Sequence, residues 1–254
     1  MRIAVIYGSP RKGNTFRAAQ IFLEAFRLEA LSRKVYDDIT VDEIYLPRDL
    51  PEFCRGCMTC FLRGETRCPD ATQVHPILEQ MLAADALLFT TPVYVLQASG
   101  SMKNFLDHLG YIFMVHRARP EMFSKKAFIL SSTVGAGTRA AIKTISTSLK
   151  YWGVNRIYSY GFAIMSEDWG KMAPKRTARV EKALKRRGAA FYRESMAGRR
   201  RPYMHTWFLF RVLRMMIRGY DASNLDRQYW HSMGWLDGTA SPFRSLKSGE
   251  GGES

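Results

Sequence analysis

The sequence predicts an α/β fold, a doubly wound five-stranded parallel sheet followed by a helical, aromatic-rich C-terminal extension. Three observations predict it. Through residue 198, short apolar runs alternate with segments of helical periodicity, as in a parallel sheet covered by helices on both faces. The first apolar run ends in a glycine-rich turn that opens a helix. Beyond residue 198 the alternation stops and a helical stretch crowded with large aromatic residues takes over. The expected organisation is therefore a main domain over 1–198, an extension over 199–246, and a disordered tail over 247–254 ending in "SGEGGES".

The elements follow in order. "RIAVIY" (2–7) is continuous and apolar, which suits a buried parallel strand, and 15–31 has apolar residues at helical spacing. Later strands are read at 41–46, 85–91, 126–132 and 156–164, with helices at 73–83, 99–115, 138–151 and 171–197. In such sheets ligands sit beyond the carboxyl ends of the strands, where the strand order reverses. The turns at those ends are the places to look.

The first is "GSPRKGNT" (8–15). It has the glycine spacing and the hydroxyl of a nucleoside triphosphate loop, but Asn14 stands where that loop needs Lys. A helix N-terminus still presents unpaired N–H groups and a positive dipole end to an anion, and Ser9, Asn14 and Thr15 add side-chain donors. A monophosphate fits better than a triphosphate; the bland alternative is a plain turn capped by Asn14 or Thr15. The second turn, "TPVY" running into "SMKNFLDH", offers backbone groups and the Tyr94 ring. The third, "TVGAGTRAA", is a small-residue turn that admits a flat ligand. Its Gly135, Gly137 and Ala141 are off by one residue from a dinucleotide fingerprint, so that match is set aside.

A second constellation, "CRGCMTCFLRGETRCP", holds all four cysteines of the chain: Cys54, Cys57, Cys60 and Cys68. Three thiolates at C-x2-C-x2-C spacing, with a fourth followed by Pro, suit an iron–sulfur cube. Zinc, a metal-free loop and a disulfide framework remain alternatives, zinc sites more often using two separated pairs.

Together "GSPRKGNT", "TPVY" and "SMKNFLDH" resemble the flavodoxin-like NAD(P)H-dependent FMN reductases and iron–sulfur flavoproteins over residues 2–197. The resemblance implies that Ser9, Arg11, Asn14 and Thr15 take the FMN phosphate. Pro92, Val93 and Tyr94 would then meet the isoalloxazine ring, and Thr133 and Gly135 its pyrimidine side. It implies a 4Fe-4S cluster on the cysteines, NAD(P)H as electron donor, a small-molecule or protein redox partner, and a homodimer or higher assembly. The rivals are a cluster-free NAD(P)H:quinone or flavin reductase, and a non-catalytic electron carrier or redox sensor.

Other classes are disfavoured. There is no G-x-S-x-G elbow, no paired acid/base carboxylate arrangement, and His75, His108, His116, His205 and His231 are scattered, each read as a surface or packing residue. No uncharged apolar stretch is long enough to span a bilayer, and the first strand begins at once, so a cytoplasmic location is expected. Lys and Arg outnumber Asp and Glu by 38 to 23, concentrated over 171–201 with twelve basic residues against Glu181 and Glu194. Such a run is usually a solvated helix face, and without a recognisable nucleic-acid motif nucleic acid is not an expected partner. In the extension, 203–219 sets Arg211, Arg214 and Arg218 on one face and Trp207, Phe210, Leu213 and Ile217 broadly on the others, followed by Tyr229, Trp230 and Trp235. Packing against the domain or a second subunit is expected, with peripheral membrane contact as the alternative.

Overall fold

The chain is described by a computed structural model over residues 1–33, 39–198 and 201–243. In order it forms β1 (Arg2–Tyr7), α1 (Asn14–Ser32), β2 (Thr40–Tyr45), α2 (Thr59–Leu62), α3 (Ala71–Ala83), β3 (Ala86–Tyr94) and β4 (Gln97–Ala98). There follow α4 (Gly100–His108), β5 (Lys126–Thr133), α5 (Thr138–Tyr151), β6 (Arg156–Ala163), α6 (Pro174–Met196), α7 (Met204–Arg218) and α8 (Leu225–Ser232). The sheet order is β2-β1-β3-β5-β6, with every pair on that path parallel. This is the doubly wound sheet the sequence predicts. The order reverses between β1 and β3, so the loops leaving those two strands part company there and open a crevice.

Because strand side chains alternate between faces, each strand feeds two cores. Ala4, Ile6, Leu87, Phe89, Ala127 and Ile129 join α3, α4 and α5 in one cluster. Ile3, Val5, Tyr7, Leu88, Phe128 and Leu130 join α1 and α6 in the other. A third cluster lies under the extension, where Phe210, Leu213, Ile217, Trp230 and Trp235 close over Met114, Ala118 and Phe123. The packing expectation for the extension holds in part: Phe210, Trp230 and Trp235 bury themselves against its own chain, whereas Trp207 stays exposed.

Two elements differ from expectation. The helix expected over 99–115 stops at His108. Gly110 follows, and the backbone turns back on itself with the Arg117 N–H donating to the Tyr111 carbonyl at 3.0 Å, which brings Met114–Ala118 under the extension. The sheet also gains the two-residue β4, antiparallel to β3, because the chain reverses tightly at Val95–Leu96. The expected tail at 247–254 lies outside the described residues, as do 199–200 and 244–246 of the extension. Among the described residues no helix is long and apolar enough to cross a membrane.

Candidate functional site

The turns after β1, β3 and β5 meet at the crevice. Ser9, Arg11, Gly13, Asn14 and Thr15 from the first, Pro92, Val93 and Tyr94 from the second, and Ser132, Thr133 and Val134 from the third line one cleft of about 210 Å³. Ile164 and Glu167, just after β6, complete the lining. Eight of the nine cofactor residues read from the sequence therefore share a wall, whereas Gly135 is absent from the lining. It sits in the turn beyond, its N–H donating to the Thr133 hydroxyl at 3.3 Å.

The N-terminus of α1 points into this cleft unsatisfied. Its cap residue, Gly13, has no side chain to accept from the first-turn N–H groups, and no acidic residue stands in that turn. Four orphan donors and the positive dipole end are thus left for an anion. The side chains around them are partly committed. Asn14 donates from Nδ2 to the Glu167 carbonyl at 3.2 Å, anchoring the helix start to the turn after β6. The buried Thr15 hydroxyl shares a 2.6 Å hydrogen bond with Ser132, so Thr15 braces α1 against β5 as well as lining the cleft. Ser9 and Arg11 remain the more available groups, with the Arg11 N–H donating to the Ser9 oxygen at 3.3 Å.

The first and second turns are held in register by Ser99, buried at the N-cap of α4. Its hydroxyl donates to the Gly8 carbonyl and accepts from Met102 N–H, while its own N–H donates to the Thr91 hydroxyl at 3.1 Å. Gly8 must be glycine here, since a Cβ would stand 2.8 Å from the Thr90 carbonyl oxygen. A Ser directly before a helical run is a legible capping signal, but its reach to Gly8 is not. The reversal at Val95–Leu96 places two non-glycine residues at positive φ, 49° and 61°, with Val95 96% exposed. Gly137 supports it from below at φ 101°, where a Cβ would collide with Val93 and Leu96. Strain of this kind persists where the surroundings impose it, commonly at ligand sites.

The cysteine loop leaves the carboxyl end of β2. Its cysteines are free thiols, Cys54 and Cys57 exposed, Cys60 and Cys68 half-buried. Burial, then the neighbouring Cys68 and Cys54, pushes the Cys60 thiol up to about 11. Burial, then Asp70, Cys57 and Cys54, raises Cys68, whereas hydrogen bonds from the Thr59 hydroxyl and N–H lower Cys57. Cys60 thus feels Cys68 and Cys54, and Cys68 feels Cys57 and Cys54. Among the described residues no three His, Cys, Asp or Glu side chains form a preassembled metal site.

Two buried residues hold this loop. Asn104 of α4 accepts from the Cys54 N–H at 2.9 Å and donates to the Glu52 carbonyl at 2.8 Å. Arg117 donates to the Cys60 carbonyl, to Glu65 at 3.0 Å and to Asp226 of α8. Burial pushes the Glu65 carboxyl up, but its own backbone N–H and the Arg117 and Arg119 guanidiniums outweigh this and hold it below the usual carboxylate range. The histidines near here are packing residues: His108 bridges Asp70 and the Asn104 carbonyl, and His116 meets Asp226 at 2.7 Å.

The sequence profile of the NADPH-dependent FMN reductase family matches residues 1–167. The chain belongs to that family. This reductase is accordingly a flavin-dependent oxidoreductase, and FMN and NAD(P)H are the cofactor and donor its family uses. An iron–sulfur flavoprotein of Archaeoglobus fulgidus is 24% identical over 240 residues, covering 93% of the reductase and 100% of that protein. A second iron–sulfur flavoprotein of the same archaeon is 32% identical over 108 residues, 42% of the reductase and 48% of that protein. Among solved structures, an FMN-dependent NADH-azoreductase of Bacillus anthracis in complex with FMN superposes with TM-score 0.56 at 12% identity, covering 76% of the reductase and 100% of that chain. An NAD(P)H:quinone oxidoreductase of Methanothermobacter marburgensis gives TM-score 0.54 at 19% identity over 75% and 96% of the two chains. These superpositions establish the shared flavodoxin-like fold.

Proposed function

We propose that the reductase takes electrons from NAD(P)H through FMN bound in the crevice and passes them to an acceptor by way of a 4Fe-4S cluster on Cys54, Cys57, Cys60 and Cys68. The uncapped N-terminus of α1 carries the flavin half of this reading, since it offers oriented N–H donors beside Ser9 and Arg11 where one phosphate can enter. When bound, FMN accepts a hydride and can release its electrons singly. The chain's own part is placement. Ser9, Arg11, Asn14 and Thr15 receive the phosphate, Pro92, Val93 and Tyr94 bound the ring, and Thr133, its hydroxyl held by the Gly135 N–H, lies toward its pyrimidine side. The Ser99 bridge keeps the phosphate and ring turns at a fixed separation.

The cluster half rests on the donor set. Four free thiols occupy one loop, soft ligands of the kind iron–sulfur clusters require. Free thiols also suit a reducing cytoplasm. The cleft rim carries exposed Tyr94, Val95, Leu96 and Val134, with Met165 beside them, apolar surface that a second subunit would cover in a homodimer.

Two substitutions separate the halves. Ser9→Asp sets a carboxylate in the phosphate position and is expected to abolish FMN retention; it is preferable to a change at Thr15, whose hydroxyl braces Ser132. Cys57→Ser, at an exposed position, is expected to lose iron and keep FMN. Anaerobically purified wild type should carry FMN with iron and sulfide near four per chain, about the content of one cube. Bound FMN without iron or sulfide would leave a cluster-free reductase; full FMN retention by Ser9→Asp would remove the phosphate assignment.

A further inference from the structure

Helix α7 is apolar on both sides. Phe210, Leu213 and Ile217 are buried in the third core cluster. On the outward side Met204, Phe208 and Met215 are 87%, 64% and 66% exposed, flanked by the partly exposed Trp207, Val212 and Met216. Positions 204, 208, 212 and 215 succeed one another at helical spacing, so they form one stripe. A helix apolar on opposite faces is ordinarily covered on both.

The chemistry of the stripe limits what can cover it. The helix has no acidic residue, and Arg211, Arg214 and Arg218 interrupt the apolar side chains. Arg211 lies over the Trp207 ring at 4.7 Å, and Arg218 donates to the Leu236 carbonyl. Arg214 Nε is buried and has no hydrogen-bond partner among the described residues. Burial, then the fields of Arg218 and Arg211, lowers the Arg214 pKa, with Asp237 opposing them. Among the described residues α7 itself brings no negative charge to this face. A second copy of the same face would bring arginines against arginines and supply none.

We propose that the outward face of α7 lies on an anionic lipid surface. Trp207, Phe208, Val212 and Met215 enter the headgroup–acyl boundary, while the exposed Arg211 at the edge of the stripe reaches a lipid phosphate along its aliphatic stem. An acidic protein surface would answer the charge, but a bilayer answers the charge and the exposed apolar stripe together. The helix lies flat: its fifteen residues span about 22 Å, short of the roughly 30 Å hydrocarbon core. Its entry is at the amino-terminal edge of the sheet, where Arg156 at the start of β6 stacks on Tyr203 at 4.5 Å. The cleft lies at the carboxyl edge and shares no residue with the stripe.

The test uses the full chain with vesicles of phosphatidylcholine alone and of phosphatidylcholine mixed with phosphatidylglycerol. Of the five tryptophans, Trp152, Trp169, Trp230 and Trp235 are buried and Trp207 alone is exposed. Anionic vesicles should therefore shift tryptophan emission to the blue, and Trp207→Phe should erase the shift. Co-sedimentation should weaken with salt and fall at least about tenfold in Phe208→Glu/Met215→Glu, which exchanges buried apolar area for negative charge. Both substitutions are outward-facing, and circular dichroism together with FMN content verifies that the variant remains folded. Failure to bind anionic vesicles, equal binding to neutral ones, or unchanged binding by the double variant would each overturn the proposal. So would a wild-type solution oligomer that the double variant dissociates, which would make the occupant a second copy.

Discussion

Arg117→Met tests how the extension is wired to the cysteine loop. Arg117 is 5% exposed, and its guanidinium holds Glu65, Asp226 and the Cys60 carbonyl at once. Breaking a buried ion pair by removing one partner costs about 3–5 kcal/mol, because the remaining charge stays desolvated. Here each carboxylate keeps a second partner: Arg119 lies 2.9 Å from Glu65, and His116 lies 2.7 Å from Asp226. The low end applies, about 3 kcal/mol, or a fall in Tm of roughly 6–12 °C for a chain of this size. Asp226→Asn keeps the shape and removes the charge, so its cost should be smaller, about 1–2 kcal/mol. Combining the two should cost less than their sum, since both cut the same bridge.

Stability alone would not show that the bridge reaches the thiols. In metal-free protein with Cys54, Cys57 and Cys68 replaced by Ser, the labelling rate of Cys60 by a disulfide reagent reports directly on its loop. Losing a charge-assisted hydrogen bond to the Cys60 carbonyl should raise that rate by about tenfold or more, its free-energy equivalent being about 1.5–3 kcal/mol. A Tm unchanged by Arg117→Met together with unchanged Cys60 labelling would refute the reasoning, since it would mean the guanidinium neither anchors α8 nor restrains the loop.

Two further expectations follow from strain and burial. Val95→Asn/Leu96→Gly puts turn-forming residues where both φ values are positive, and should raise stability by about 1–3 kcal/mol in thermal unfolding; a lower Tm would show the turn is not strained. Lys125 is pushed down to about 8 by burial, with Glu121 and Asp85 opposing, so above pH 8 the native chain releases a proton that the unfolded chain retains to about 10.4. Stability relative to Lys125→Met should therefore rise from pH 8 toward pH 10, and a flat or falling difference in unfolding free energy would show that the carbonyls of Leu82 and Ala84, to which its ammonium donates, keep it charged.

What was legible in the sequence is what rests on local pattern. The strands of the main sheet and the helices around it follow from apolar periodicity, and the anion-binding turn follows from Gly8, Gly13 and the helix behind them. The other cleft walls become predictable only once the sheet order brings β5 and the turn after β6 alongside β1, which is why Ser132, Ile164 and Glu167 escaped notice. The reversal at Val95–Leu96 escaped for the opposite reason, since a β-branched residue at positive φ runs against its propensity and only the support of Gly137 and the β3–β4 pairing imposes it.

Arg117 is the extreme case. Its partners lie 52, 57 and 109 residues away in sequence, and nothing local distinguishes it from the other arginines of a strongly basic chain. The change in composition at residue 198 marks where helices stop covering the sheet and begin covering Met114–Ala118. That segment is also the source of Arg117, so the aromatic residues that bury it fix the guanidinium's position, and the guanidinium in turn fixes the Cys60 backbone. A run of tryptophans and tyrosines that looks remote from redox chemistry thereby bears on the geometry of the thiols, through one buried charge whose role appears only when the chain is folded.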